Sequence, residues 1–135
     1  VWSHAFRRDK PSDLPEVDAL IQAIADGQTV LTTGLVMQEL LQGFAGPKAK
    51  AQILERFGAL PLLMPDRNDH VEAAELRNRC RRAGVQVSTI DALLACLCIR
   101  HELTMLTADG DFHAIADHAP LKVWRPNRAP ALPPR

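Results

Sequence analysis

STIDALLACLCIRHELTMLTADGDF, residues 88–112, holds the alternation that decides the fold. Ser88 precedes the longest strongly apolar stretch of the chain, Ile90 to Ile99, broken only by Asp91. That run is far short of the roughly 20 residues a bilayer crossing needs, so it predicts a buried core helix, continuing to about Glu102. Thr104 to Thr107 has the apolar, β-branched character of a short strand, and Asp109 to Asp117 reads as a short helix. Short strands alternating with helices imply a parallel sheet covered on both faces.

The same alternation extends outward. Upstream, Asp66 to Ala83 predicts the longest helix, burying Ala73, Leu76, Cys80 and Ala83, showing Arg77, Arg79, Arg81 and Arg82 elsewhere, and ending at Gly84. Leu62 to Met64, between Pro61 and Pro65, suits an edge strand. Gly46-Pro47 opens a helix to about Phe57 with Ala49, Ile53 and Phe57 on one side, Gly34 to Phe44 is a further helix, and Thr29 to Thr32 a short buried strand. Leu14, Val17, Leu20, Ile21 and Ile24 recur at helical spacing, with Ser12 or Asp13 as the cap and Asp26-Gly27 as the stop. Trp2 to Arg8 reads as a short helical or loop segment. Downstream, Leu121 to Trp124 predicts the last strand, and residues 125–135, with four prolines and little to bury, a disordered tail. The expectation is one α/β domain over residues 1–124, a three-layer sandwich with a short central parallel sheet and helices on both faces.

A chain of 135 residues supports one ordinary core and no more, and there is no internal repeat. Cys80, Cys96 and Cys98 are odd in number and have no zinc-like spacing, so free thiols in a reducing cytoplasm are expected. No signal-peptide pattern stands at the given N-terminus. Sixteen basic residues balance sixteen acidic ones, so any contact with nucleic acid has to be local.

Three places carry a carboxylate that folding alone does not ask for. Glu39 lies between Leu35 and Gly43 around the helix, at about 100° per residue, and is expected to face inward or nearly so; the plainer reading is a surface Glu at the edge of an amphipathic helix. Asp91 with Ser88 fits the S-x-x-D capping pattern, yet the apolar helix it opens is expected to sink that end into the protein, where a carboxylate needs a strong partner. Asp109 and Asp111 follow a strand directly, where open α/β sheets place ligands. Only one of them reaches a shared site if the turn is extended, and both would merely decorate a helix start if Thr107 caps it. Converging carboxylates persist mainly where a divalent cation neutralises them, and oxygen-only donors suit Mg²⁺ or Mn²⁺ over zinc. Such a site points to phosphoryl chemistry.

Three blocks resemble PIN domains, and the VapC toxins of VapBC toxin–antitoxin pairs in particular: Val36 to Phe44, Arg81 to Val85 running into Ser88 to Ala95, and Leu106 to Phe112. The resemblance covers Val1 to about Trp124. It implies a PIN-like sandwich in which Glu39, Asp91 and Asp109 are catalytic, metal-binding acids, Asp111 is an accessory metal ligand, and Thr107 and Ser88 support the site. One feature departs from the family: its first strand ends in an Asp that would fall a few positions before Val1. That strand is central in the family's sheet, so an N-terminal stretch carrying it is expected to precede this sequence.

The resemblance further implies an endoribonuclease that uses Mg²⁺ or Mn²⁺ to activate water against an RNA phosphodiester, acts as a cytoplasmic homodimer, and is held inactive by a VapB-type antitoxin. Arg77, Arg79, Arg81 and Arg82 are candidate RNA contacts, with a solvated helix face as the plainer reading. The apolar helices over Leu14 to Ile24 and Leu40 to Phe57 offer a groove for an antitoxin segment, although such positions are more often plain core. Two alternatives stand beside this reading: a non-catalytic PIN scaffold, and a Mg²⁺-dependent phosphohydrolase acting on another substrate.

Overall fold

The computed structural model describes residues 1–6 and 14–126. In chain order the elements are α1 (Trp2–Phe6), α2 (Pro15–Ala25), β1 (Thr32–Thr33), α3 (Gly34–Gly43), α4 (Pro47–Gly58), β2 (Leu62–Leu63), α5 (Arg67–Arg82), α6 (Thr89–Arg100), β3 (Thr104–Met105), α7 (Asp111–Ala116) and β4 (Lys122–Val123). The expected caps Ser12 and Asp13 lie outside the described residues, and the N-cap position of α2 falls instead on Leu14. Most of the tail, residues 127–135, also lies outside them.

Helix starts and stops follow local chemistry. Pro15 and Pro47 occupy the first turns of α2 and α4, where a missing N–H costs nothing. Gly84 takes a φ of 81°, a left-handed conformation that turns the chain out of α5 and lets the Val85 amide donate to the Cys80 carbonyl.

The fold is α/β with short parallel strands, as expected, but the strands form no single sheet. β1 pairs with β2, Thr32 opposite Leu62, and β3 pairs with β4, Thr104 opposite Lys122, both in parallel. No strand among the described residues joins β1 to β3. A cavity of about 420 Å³ lies against both half-sheets, lined by Thr32, Thr33 and Leu63 on one side and by Thr104 and Met105 on the other, with Val1 among its walls.

The core divides in the same way. The larger part joins Leu76 and Cys80 of α5, Ala92, Leu93, Ala95, Cys96 and Leu97 of α6, and Phe112 and Ile115 of α7. The smaller one is Leu40, Ile53 and Phe57, closed by Trp2, whose ring centroid lies 4.9 Å from that of Phe57. Ala83, expected in the core, is exposed, because α5 has already reached its C-cap there. Ile21 and Ile24 of α2 are also exposed, at 58% and 46%, leaving Val17 and Leu20 as the buried stripe.

Candidate metal centre

Two helices of this chain open on the same sequence pattern and use it differently. At α5 both halves of a capping box form: the Asp69 amide donates to Asp66 Oδ1 at 2.9 Å, and the Asp66 amide donates back to Asp69 Oδ2 at 2.8 Å. Arg100 Nε then forms an ion pair with Asp69 Oδ1 at 2.7 Å, so a carboxylate only 2% exposed has a partner on each oxygen. At α6 Ser88 Oγ accepts from the Asp91 amide at 3.1 Å, and no return bond from the Ser88 amide accompanies it. Capping therefore accounts for Ser88 but leaves the Asp91 carboxylate unexplained.

The start of α6 is not sunk in the protein. Ser88, Thr89 and Ile90 are exposed and Asp91 is half-buried, because the buried stripe of α6 begins only at Ala92. Partial burial still raises the Asp91 pKa above the ordinary carboxylate value, the Ser88 hydroxyl opposes the rise, and the charges of Asp109 and Asp111 add to it.

Asp109 and Asp111 reach Asp91 because the turn after β3 coils instead of running extended. Thr107 Oγ1 accepts from the Asp109 amide at 3.0 Å, and Asp109 Oδ1 accepts from the Asp111 amide at 2.9 Å. These two short-range bonds wind residues 107–111 into the start of α7, which Phe112 and Ile115 anchor in the core. The result gathers Asp91, Asp109 and Asp111 so that one oxygen from each lies within 4.8 Å of the others. Two apart in an extended turn, the last two acids would have diverged; the coil brings both into the group.

All three donors are hard carboxylate oxygens, with no imidazole or thiolate among them. Their chemistry fits a divalent cation that prefers oxygen, such as Mg²⁺, and fits zinc poorly. Three like charges at this spacing repel, and an ion at their centre would reverse the sign of that interaction. Burial pushes the Cys96 and Cys98 thiols up to about 11.

The remaining expected site residues sit apart from this group. Glu39 is exposed on α3, where Leu40 takes the buried position; the inward-facing orientation expected of Glu39 is not adopted. Arg77 does not point freely to solvent, because its Nε donates to the Val87 carbonyl at 2.8 Å. Arg79, Arg81 and Arg82 are exposed, Arg81 with a surface bond to Asn78 on its own helix at 3.1 Å.

Short parallel strands with intervening helices place these carboxylates at a strand end, where open α/β folds bind their ligands. A family model described as the PIN domain matches residues 1–118, and the chain belongs to that family. PIN domains are typically metal-dependent nucleases. No helix among the described residues is long and apolar enough to cross a membrane.

Proposed function

We propose that this PIN domain is a Mg²⁺- or Mn²⁺-dependent endoribonuclease of the VapC toxin type. The convergence of Asp91, Asp109 and Asp111 carries the reading. Glu39 is the fourth acid of the proposed set, carried over from the resemblance, although it lies outside the group of three. The ion, when bound, lowers the pKa of a coordinated water and offsets charge on the leaving 3′ oxygen. The acids hold and neutralise the centre, Ser88 and Thr107 fix the backbone that presents them, and one carboxylate accepts the proton of the attacking water. Of the four candidate arginines, exposed Arg79, Arg81 and Arg82 are the ones proposed to guide the RNA backbone.

The cavity between the half-sheets supports a further part of this reading. A parallel strand ahead of Val1 would fill it, join β1 to β3 and bring the family's first acid toward the strand ends. Intact-mass analysis of the gene product tests this, since a mass equal to that of residues 1–135 would exclude such a strand. Ile21 and Ile24 on α2 and Leu54 on α4, all exposed, support docking of an apolar antitoxin segment. Copurification with a small co-expressed partner, and a dimeric mass in solution, are the expected results in a cytoplasmic host.

The experiment that tests the activity is RNA cleavage with Mn²⁺ or Mg²⁺, with EDTA, and by Asp91→Asn and Asp109→Asn variants. Cleavage that needs metal and both acids is expected, and sequencing RNA ends after induction would identify the RNA. The exposed Glu39, outside the acidic group, favours one rival: a PIN scaffold that binds without cutting. Intact RNA after incubation of the whole gene product with Mn²⁺ would decide for the scaffold.

A further inference from the structure

We infer that Arg77 is a positioning residue for the metal centre, acting through the backbone that leads into α6; the inference rests on the function proposed above. Its Nε donates to the Val87 carbonyl at 2.8 Å, ten residues along the chain and across the α5–α6 connection. Val87 is itself buried and immediately precedes Ser88, the N-cap whose hydroxyl fixes the Asp91 amide. At its other end the connection is held by the Val85 amide on the Cys80 carbonyl, through the left-handed Gly84. A short linker is thus pinned twice to α5, and its second pin lies one residue before the cap.

The two candidate roles of Arg77 make opposite demands on its side chain. A cation that guides RNA needs its guanidinium in solvent, whereas this one is half-buried and spends its inner N–H on a main-chain carbonyl. Without that donor the Val87 carbonyl loses its partner, and the first turn of α6 gains freedom to shift. A carboxylate set that binds an ion tolerates little such freedom, because outer partners that orient ligands commonly govern tenfold or more in affinity.

Mn²⁺ titration of the whole protein, followed by the loss of the free-ion electron paramagnetic resonance signal, tests the role without reference to catalysis. Charge alone predicts that Arg77→Met would bind Mn²⁺ as well as or more tightly than wild type, since a positive charge is removed from the protein. Positioning demands the reverse: weakening of about tenfold in Arg77→Met, with partial recovery in Arg77→Lys, which keeps a donor. Arg56→Met, at an exposed arginine of α4, is the control and should bind Mn²⁺ as the wild type does. The salt dependence of RNA binding should keep its slope in Arg77→Met, whereas loss of a phosphate contact would reduce it by about one.

If Arg77→Met does not fold, Arg77→Leu, which likewise removes the donor and suits a helix, carries the same comparison. Unchanged or tighter Mn²⁺ binding in a folded variant overturns the inference. Absence of Mn²⁺ binding by the wild type would instead overturn the proposed metal centre itself, so the two failures are distinguishable.

Discussion

Replacing Asp91 by Asn should stabilise the metal-free protein and destabilise it relative to wild type once metal is added. With carboxylate oxygens of the group within 4.8 Å of one another, each like-charged pair repels by about 0.9 kcal/mol at the dielectric of water. Asp91 faces two such neighbours, so neutralising it relieves about 1.7 kcal/mol before salt screening. The exposure of Asp109 and Asp111 argues for this high dielectric and for some further screening. Against the gain stands the loss of a negative charge in the first turn of α6, which costs about 0.3–1 kcal/mol. The balance is a stabilisation of about 0.5–1 kcal/mol in EDTA, a rise of about 2–4 °C in Tm for a chain of this size. With Mn²⁺ at about 100 times its Kd the wild type gains about 2.7 kcal/mol, and the variant should gain almost none. Thermal melts of both proteins in EDTA and in Mn²⁺ should therefore cross. An Asp91→Asn protein that melts lower than wild type in EDTA, and rises with Mn²⁺ as much as wild type does, would refute the reasoning.

The apo protein should respond to pH through two carboxylates of opposite sign. Asp91 has its pKa raised by burial, so its contribution to stability is present below the ordinary carboxylate range and is lost as pH rises through the shifted value. Asp66 has its pKa lowered, chiefly by the Asp69 amide, so its contribution is present above that range and is lost as pH falls. Denaturation across pH 3–7 should show the Asp91 component disappear in Asp91→Asn and the acid-side component disappear in Asp66→Asn. Thr107→Val removes the acceptor for the Asp109 amide and should weaken Mn²⁺ binding about tenfold, with Thr107→Ser near wild type in the same titration. Arg100→Met leaves the buried Asp69 with its amide partner but no counter-charge; with Arg100 itself 41% exposed, a cost of about 2–3 kcal/mol is expected as a lower urea midpoint at unchanged slope.

Much of the fold follows from short-range chemistry, which is why it was legible. Apolar spacing located α5 and α6, and Pro15, Pro47 and Gly84 marked ends within a residue or two. The strands were expected three or four residues long and are two, because a strand is defined by its partner and β1 and β3 each have one. Ala83 and Ile24 fit a helical stripe by spacing yet are exposed, since spacing says which side of a helix a residue shares and not how far along it the neighbouring element extends. Among the acids, Asp91 and Asp109 stood out as carboxylates beside an apolar helix and a strand end. The resemblance makes Asp111 only an accessory acid, and spacing alone does not say whether one or both of Asp109 and Asp111 reach the site; the coil that admits both depends on where Thr107 Oγ1 and Asp109 Oδ1 point. The Arg77 bond to Val87 crosses two elements and leaves no periodic trace, so Arg77 looked like its solvent-facing neighbours.

The most direct measurement of the account is an anomalous-scattering map of crystals soaked in Mn²⁺. A single strong peak bounded by the carboxylates of Asp91, Asp109 and Asp111 is the expected result. An empty map there at millimolar Mn²⁺, with the three side chains ordered, would contradict the claim that these acids exist to hold an ion.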